Sequence, residues 1–369
     1  MMASISKEED LELENQLKLI NKPPLKTIQT TFGYIIDCID IHKQLAFDNP
    51  LLKNHKIQLR PSFEPATTLN EDQRSARLSS IGIEDDLCPT RTVPVRRTTK
   101  EDLIRVKYLS NNNGILTKDA PGSHFAAVNL NPDGIYYGIR GSINVFNPKV
   151  GSREQMSAAY IYLAKGQTQF LNSIMAGWQV YPEMYGDTKT HVFIGWANKQ
   201  NQTGCYNLLC PGFVQTNNIF RIGGFFTNMS TYDGQQFEMI VAIFKDVITD
   251  SWWLRLAGEY LGYFPGSLFS DDMSYADGGG WYGRTTTPAG GLSPPMGSGH
   301  LPDGEFGHAC FIRVMAFVNQ TGEYMWPEMK SVGIYTDNPN CYGVQYTGYV
   351  DEAMLYSMQF GGPGGNCGY

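Results

Sequence analysis

The residue best placed for acid–base chemistry is Glu183, within Trp178-Gln179-Val180-Tyr181-Pro182-Glu183-Met184-Tyr185-Gly186-Asp187. Trp178, Tyr181 and Tyr185 are close enough in sequence to keep water from its carboxyl. Desolvation disfavours a charged carboxyl and raises its pKa, which suits a general acid. The competing reading is an ordinary turn glutamate beside Gly186-Asp187. Other chemistries lack their spacing. A serine-hydrolase elbow needs Gly-x-Ser-x-Gly, and Gly297-Ser298-Gly299-His300 is the nearest approach. No His-Glu-x-x-His occurs, and His42, His55, His124, His191, His300 and His308 are scattered, so no metal site is expected. Gly278-Gly279-Gly280-Trp281-Tyr282-Gly283 has dinucleotide-loop spacing, but no helical pattern follows it, and no cofactor is expected.

The cysteines and sequons point to an oxidising compartment. Cys205 and Cys210 bracket a tight step with Gly and Pro at its ends, which reads as a stapled loop; a zinc knuckle would want a closer pair and a second one. Cys38 and Cys88 are the first two of the seven and either pair or stay free; Cys341 and Cys367 can staple the C-terminal strands. Cys310 sits in an apolar stretch and reads as a buried thiol. The expectation is three bonds, Cys38–Cys88, Cys205–Cys210 and Cys341–Cys367, with Cys310 free. Three sequons begin at Asn201, Asn228 and Asn319. Met1-Met2 leads straight into charge, without the regions of a secretory signal. The expectation is a secreted protein whose signal is missing from this sequence.

The elements that must position these residues follow from composition. The chain has 369 residues, of which 18% are charged, against about 25% in an average chain. Its 39 Gly, 20 Pro, 19 Phe, 21 Tyr and 6 Trp fit short strands joined by turns. A net charge of −7 argues against a nucleic-acid partner. No run of about 18 apolar residues is present, so no membrane span is expected. Residues 1–110 hold 32 of the 65 charges but 2 of the 39 Gly and no Trp, which places a boundary within 100–120. Three parts are expected: a helical lead over 1–25, a small α+β unit over 26–110, and an all-β domain over 111–369.

In the lead, Ser6 and Glu9 have capping-box spacing ahead of Leu11, Leu13, Leu17 and Ile20, and the helix should stop before Pro23. Thr30–Ile41 reads as a strand, and Thr67–Thr90 and Asn111–Gly114 as loop and turn. Ten strand-like segments follow, among them His124–Leu130, Thr168–Tyr181, His191–Trp196, Ile219–Phe226 and His308–Val318. They predict two face-to-face antiparallel sheets, a β-sandwich. Gly283–Gly304 reads as a long loop, functional or disordered.

Several blocks resemble the plant neprosin family of secreted glutamic peptidases. Asp37–Ile41, Pro50–Lys56 and Cys88–Arg97 resemble its activation peptide. Ile143–Pro148, Ala176–Asp187, Thr203–Thr216, Met296–His300 and Gln359–Cys367 resemble its peptidase domain. The resemblance implies a zymogen whose propeptide acts as an intramolecular inhibitor. It also implies an acid endopeptidase that cleaves after proline with two glutamates and a water. In such a pair one carboxylate takes a proton from water while its protonated partner donates, since two close carboxyls cannot both ionise cheaply.

The second family glutamate belongs to a Trp-x-Gly-Glu step, which here is Trp281-Tyr282-Gly283-Arg284; the first belongs to Glu-x-Gly-Trp, here Met175-Ala176-Gly177-Trp178. Arg284 and Met175 can neither give nor take a proton in this chemistry. One reading is a working peptidase that recruits substitute acids, Glu183 and Asp277. Another is an impaired homologue whose groove binds Pro-containing chains, with Trp178, Tyr185 and Trp281 stacking on proline rings. A third is a binder of cell-wall glycans or a glycosidase.

Overall fold

The computed structural model describes residues 6–66, 87–111, 122–132, 134–166, 171–198, 203–269 and 273–368. Helix α1 (Lys7–Ile20) begins on its capping box: Ser6 Oγ accepts the Glu9 N–H, and the Glu9 carboxylate accepts the Ser6 N–H. Strands β1 (Pro24–Gln29), β2 (Ile35–Asp40) and β3 (Thr92–Arg96) form a small antiparallel sheet with β2 at its centre. Cys38–Cys88 joins the buried Ile28 and Ile36 on one face, and Ile39, Ile41 and Val93 are buried on the other. Within the expected boundary region lies helix α2 (Lys100–Asn111), entered through reciprocal bonds between Thr99 and Asp102.

Two sheets form the sandwich. The seven-stranded one contains β4 (Ser123–Leu130), β6 (Met156–Lys165), β7 (Asn172–Val180), β8 (His191–Asn198), β9 (Thr203–Tyr206), β14 (Gly278–Thr286) and β17 (Val332–Thr336). Their order is β17-β4-β14-β6-β7-β8-β9, antiparallel throughout. The nine-stranded one contains β5 (Gly138–Asn144), β10 (Val214–Gln215), β11 (Glu238–Asp246), β12 (Ser251–Leu256) and β13 (Glu259–Pro265). Its other members are β15 (Cys310–Val318), β16 (Tyr324–Met325), β18 (Gly343–Tyr349) and β19 (Tyr356–Gly361). The order is β10-β13-β12-β11-β5-β15-β19-β18, with β16 on β15. Between the sheets lie Ile143, Ile161, Trp178, Ile194, Trp281, Ile312 and Phe360, all essentially inaccessible. No helix among the described residues is long and apolar enough to cross a membrane.

The sandwich is as the residue pattern predicts, with two local corrections. Ile219–Phe226 is not a strand; only Phe225 bridges to His191. The first four residues of the expected Gly283–Gly304 loop, Gly283–Thr286, instead end strand β14 (Gly278–Thr286) inside a sheet. Its glycines are there for close approach: a Cβ on Gly283 would lie 2.3 Å from the Phe360 ring, and one on Gly279 would lie 2.4 Å from the Tyr162 carbonyl. Residues 67–86 of the expected loop, and 112–114 of the expected turn, lie outside the described residues. All three expected disulfides are formed, with Cα separations of 5.4, 6.0 and 5.9 Å, and Cys310 is a buried free thiol.

Candidate functional site

Strand alternation gives the seven-stranded sheet two unlike faces. The inner face packs into the sandwich. The outer face carries a separate aromatic layer that includes Phe125, Tyr160, Met175, Phe193 and Tyr282. Tyr160 and Tyr282 stack with centroids 5.4 Å apart, Tyr162 meets Tyr282 edge-on at 5.7 Å, and Phe193 meets Tyr160 edge-on at 5.9 Å. Tyr206 tilts onto Phe193 at 6.1 Å. Burial pushes the hydroxyls of Tyr160, Tyr162 and Tyr206 above the usual phenol range, and the charge of Arg284 pulls all three the other way. The sheet therefore brings phenols from β6 and β9 around one guanidinium on β14.

Register places Met175 and Arg284, the residues expected at the family's glutamate positions, on this face. Arg284 pairs with Ala158, which pairs with Gln179; Met175 pairs with Tyr162 and lies four residues before Gln179 on the same strand. Both side chains are buried. The Arg284 guanidinium sits 5.3 Å over the Phe125 ring, and its Nη2 donates to Ser123 Oγ at 3.1 Å. None of the seven strands carries an Asp or Glu, so no strand residue brings a carboxylate to this face.

The expected substitute acids are not brought together. Glu183 is in the short helix α3 (Pro182–Tyr185), beyond the end of β7 that pairs with Ser157. It is 3% exposed and held by Arg153 at 2.5 and 2.9 Å; burial raises its carboxyl pKa, and Arg153 opposes the rise. Asp277 precedes the other end, where Gly278 pairs with Ala164, and it accepts the Gly166 N–H at 3.1 and 3.2 Å. Seven residues of β6 separate these ends, about 23 Å of extended strand.

The expected stacking residues also need correction. Trp178 and Trp281 face the sandwich interior, where their Nε1 atoms donate to the Asn144 and Arg140 carbonyls at 2.9 and 2.8 Å. Trp178 is three residues from Met175 and Trp281 three from Arg284, an odd offset that alternation sends to the opposite face. Tyr185 is buried in α3, stacked on His191 at 3.8 Å, and its hydroxyl accepts from Gln179 and Asn207 at 2.9 and 3.1 Å. Rings that line the outer face were not singled out by sequence: Tyr160, Tyr162, Phe193, Tyr206 and Tyr282. Period-two spacing from Met175 and Arg284 is the signal that finds Tyr282.

The N-terminal unit lies against the β8 side of this sheet. Tyr34 donates to Asp187, which also receives His191, and Phe32 meets Phe225 edge-on at 4.8 Å. Arg96, Thr98 and Asp102 line a crevice with Met184, Tyr185 and Asn207. Of the sequons, Asn228 is exposed and Asn319 is half-buried in a turn that bonds Thr321 and Glu323; Asn201 lies outside the described residues.

Scytalido-glutamic peptidase with a peptide-based transition state analogue aligns with 66% of this chain and 98% of its own, at 11% identity and a TM-score of 0.36. A structure of SCP-B, a member of the Eqolisin family of peptidases, in complex with the tripeptide Ala-Ile-His aligns with 66% and 98%, at 11% identity and a TM-score of 0.35. The Neprosin family model matches residues 153–363, and the Neprosin activation peptide model matches residues 27–129. The chain thus belongs to the neprosin family and carries that family's activation peptide ahead of its sandwich.

Proposed function

We propose that this protein is an extracellular neprosin-family zymogen form whose groove binds extended, Pro-containing peptides and hydrolyses them poorly. The observation that carries the reading is the outer face itself. Met175 and Arg284 stand where the family's glutamates are expected, and no carboxylate among the described strand residues shares their face. General acid–base help is worth about 10²–10⁴-fold per group, so losing both leaves little turnover. Binding is favoured by what remains. Tyr160 and Tyr282 are buried in the full chain; with Tyr162 they would supply the rings that proline meets once the N-terminal residues are removed, the role first expected of Trp178 and Trp281. Three disulfides support an oxidising, extracellular setting.

Residues up to about 110 act as the intramolecular inhibitor, helical lead included. Their docking beside α3 and β8 supports this role. The test uses the chain freed of residues 1–110 at acid pH, with Pro-containing peptides followed by mass spectrometry and calorimetry. Peptide binding without cleavage is expected. Vigorous cleavage after proline would sink the reading and direct attention to Glu183. Affinity for a wall polysaccharide, with none for peptide, would also overturn it.

A further inference from the structure

Residues 44–66 form a strap along the nine-stranded sheet. Ala46 and Leu52 are buried in the sandwich core, with Phe47 and Ile57 packed against it. The Gln44 amide acts as a substitute strand at the β10 edge: its Nε2 donates to the Gln215 carbonyl at 3.0 Å, and its Oε1 accepts the Gln215 N–H at 2.8 Å. Further along, the Ser62 N–H bonds Asp246 at 2.7 Å, Glu64 meets Arg255 at 3.1 Å, and the Ala66 N–H bonds the Gly322 carbonyl at 3.0 Å.

The middle of the strap depends on a proton. His55 Nε2 lies 2.8 Å from the Tyr263 hydroxyl, with the rings 5.6 Å apart. The same hydroxyl oxygen accepts the Gln58 N–H at 3.1 Å. A hydroxyl that accepts from the backbone and turns its own proton to Nε2 requires Nε2 to be bare. A proton added there sets two donors face to face. Tyr263 is wholly buried, so its displaced O–H would lose a partner where water cannot replace it.

We propose that His55 is a proton-operated clasp: acid frees the strap around residues 53–62 from the nine-stranded sheet, while Tyr34 and Asp187 keep the rest of the N-terminal unit docked. Burial holds the His55 imidazole below its ordinary value. A histidine held low contributes closure above its free pKa of about 6.5, and loses it as pH falls from there. The group facing it from β13 is Tyr263, whose pKa burial pushes up to about 12, so Tyr263 stays neutral throughout. On the strap itself, Lys53 and Lys56 are exposed. Asp246, at the end of β11, and Asp250, on the turn into β12, are engaged by Ser62 and by Lys245 respectively. Asp187 behaves oppositely, because its donors keep it ionised well into acid.

The experiment is hydrogen–deuterium exchange on the full chain at pH 7 and pH 5, corrected for the intrinsic pH dependence of exchange. Protection over residues 53–62 should fall by at least about tenfold at pH 5, with residues 35–40 unchanged. His55→Gln keeps an uncharged acceptor for Tyr263 and should abolish the fall. A fall that persists in His55→Gln, or that spreads equally to residues 35–40, would overturn the proposal. Should that variant not fold, the imidazole titration of His55 in the native chain decides instead. A midpoint at or above about 6.5 refutes the clasp.

Discussion

Tyr34 donates its phenolic proton to Asp187 Oδ2 across 2.5 Å, joining two residues 153 positions apart. The other oxygen of that carboxylate faces His191 Nε2 at 2.8 Å and accepts the Lys189 N–H at 2.9 Å. Burial works against ionisation of Asp187, but His191, Tyr34 and the Lys189 backbone prevail and hold its carboxyl well below the usual range. A depressed carboxyl contributes stability above its unfolded pKa of about 3.9, and that contribution is lost as pH falls through the folded value. Tyr34→Phe should therefore weaken docking of the N-terminal unit by about 1–3 kcal/mol at pH 5 and pH 7 alike. Thermal melts at both values check this. A loss confined to pH 7 would mean that Asp187 is already protonated at pH 5.

Restoring both carboxyls should restore chemistry. Met175→Glu with Arg284→Glu, in the chain freed of residues 1–110, is expected to cleave Pro-containing peptides at acid pH, and neither change alone should. The reason is cooperative: a general base without its acid supplies one half of the proton traffic. Product mass spectra of the three variants settle the point, and activity in a single variant would show that another acid is already in play.

Truncating Trp178 or Trp281 should cost folding stability. Both are inaccessible and hydrogen-bonded between the sheets, so Trp→Ala is expected to lose at least about 3–5 kcal/mol. Denaturant unfolding measures the loss. If either variant kept its stability and lost peptide affinity, the inward assignment would be wrong.

The disulfides should differ in worth by loop length. Their sequence separations are 50, 26 and 5 residues. Loop-closure entropy then ranks Cys38–Cys88 first at about 4 kcal/mol, Cys341–Cys367 next at about 3.5, and Cys205–Cys210 last at about 2. Pairwise Cys→Ser variants, compared by melting temperature, test the order. Inversion of the first and last would show that native-state contacts outweigh chain entropy.

Much of this fold was legible because its signals are local. Ser6 and Glu9 sit three apart, and the helix starts there; Val, Ile and Tyr runs became strands; cysteine partition gave the bonds. What the sequence hid is long-range or dual-purpose. Strand β14 was missed, and its end from Gly283 was read as loop, because glycine is poor in strands; yet Gly283 answers to Phe360 and Gly279 to Tyr162, distant in sequence. The Tyr34–Asp187 contact has no local trace. The groove residues failed for a different reason: proximity to Met175 and Arg284 was weighed, and parity was not. Trp178 is close to Met175 along the chain and on the other side of the sheet.

Strand β4 holds a further consequence. It lies between β17 and β14, paired on both edges, although the chain reaches it directly after the N-terminal unit. The activation-peptide match runs to residue 129, and so includes all but the last residue of this strand. A maturation cut placed after β4 would sever the backbone but release nothing, because a strand zipped along both sides stays as a non-covalent part of the sheet. On the proposed zymogen reading, a cut that is to free the N-terminal unit should fall before Ser123, ahead of this strand.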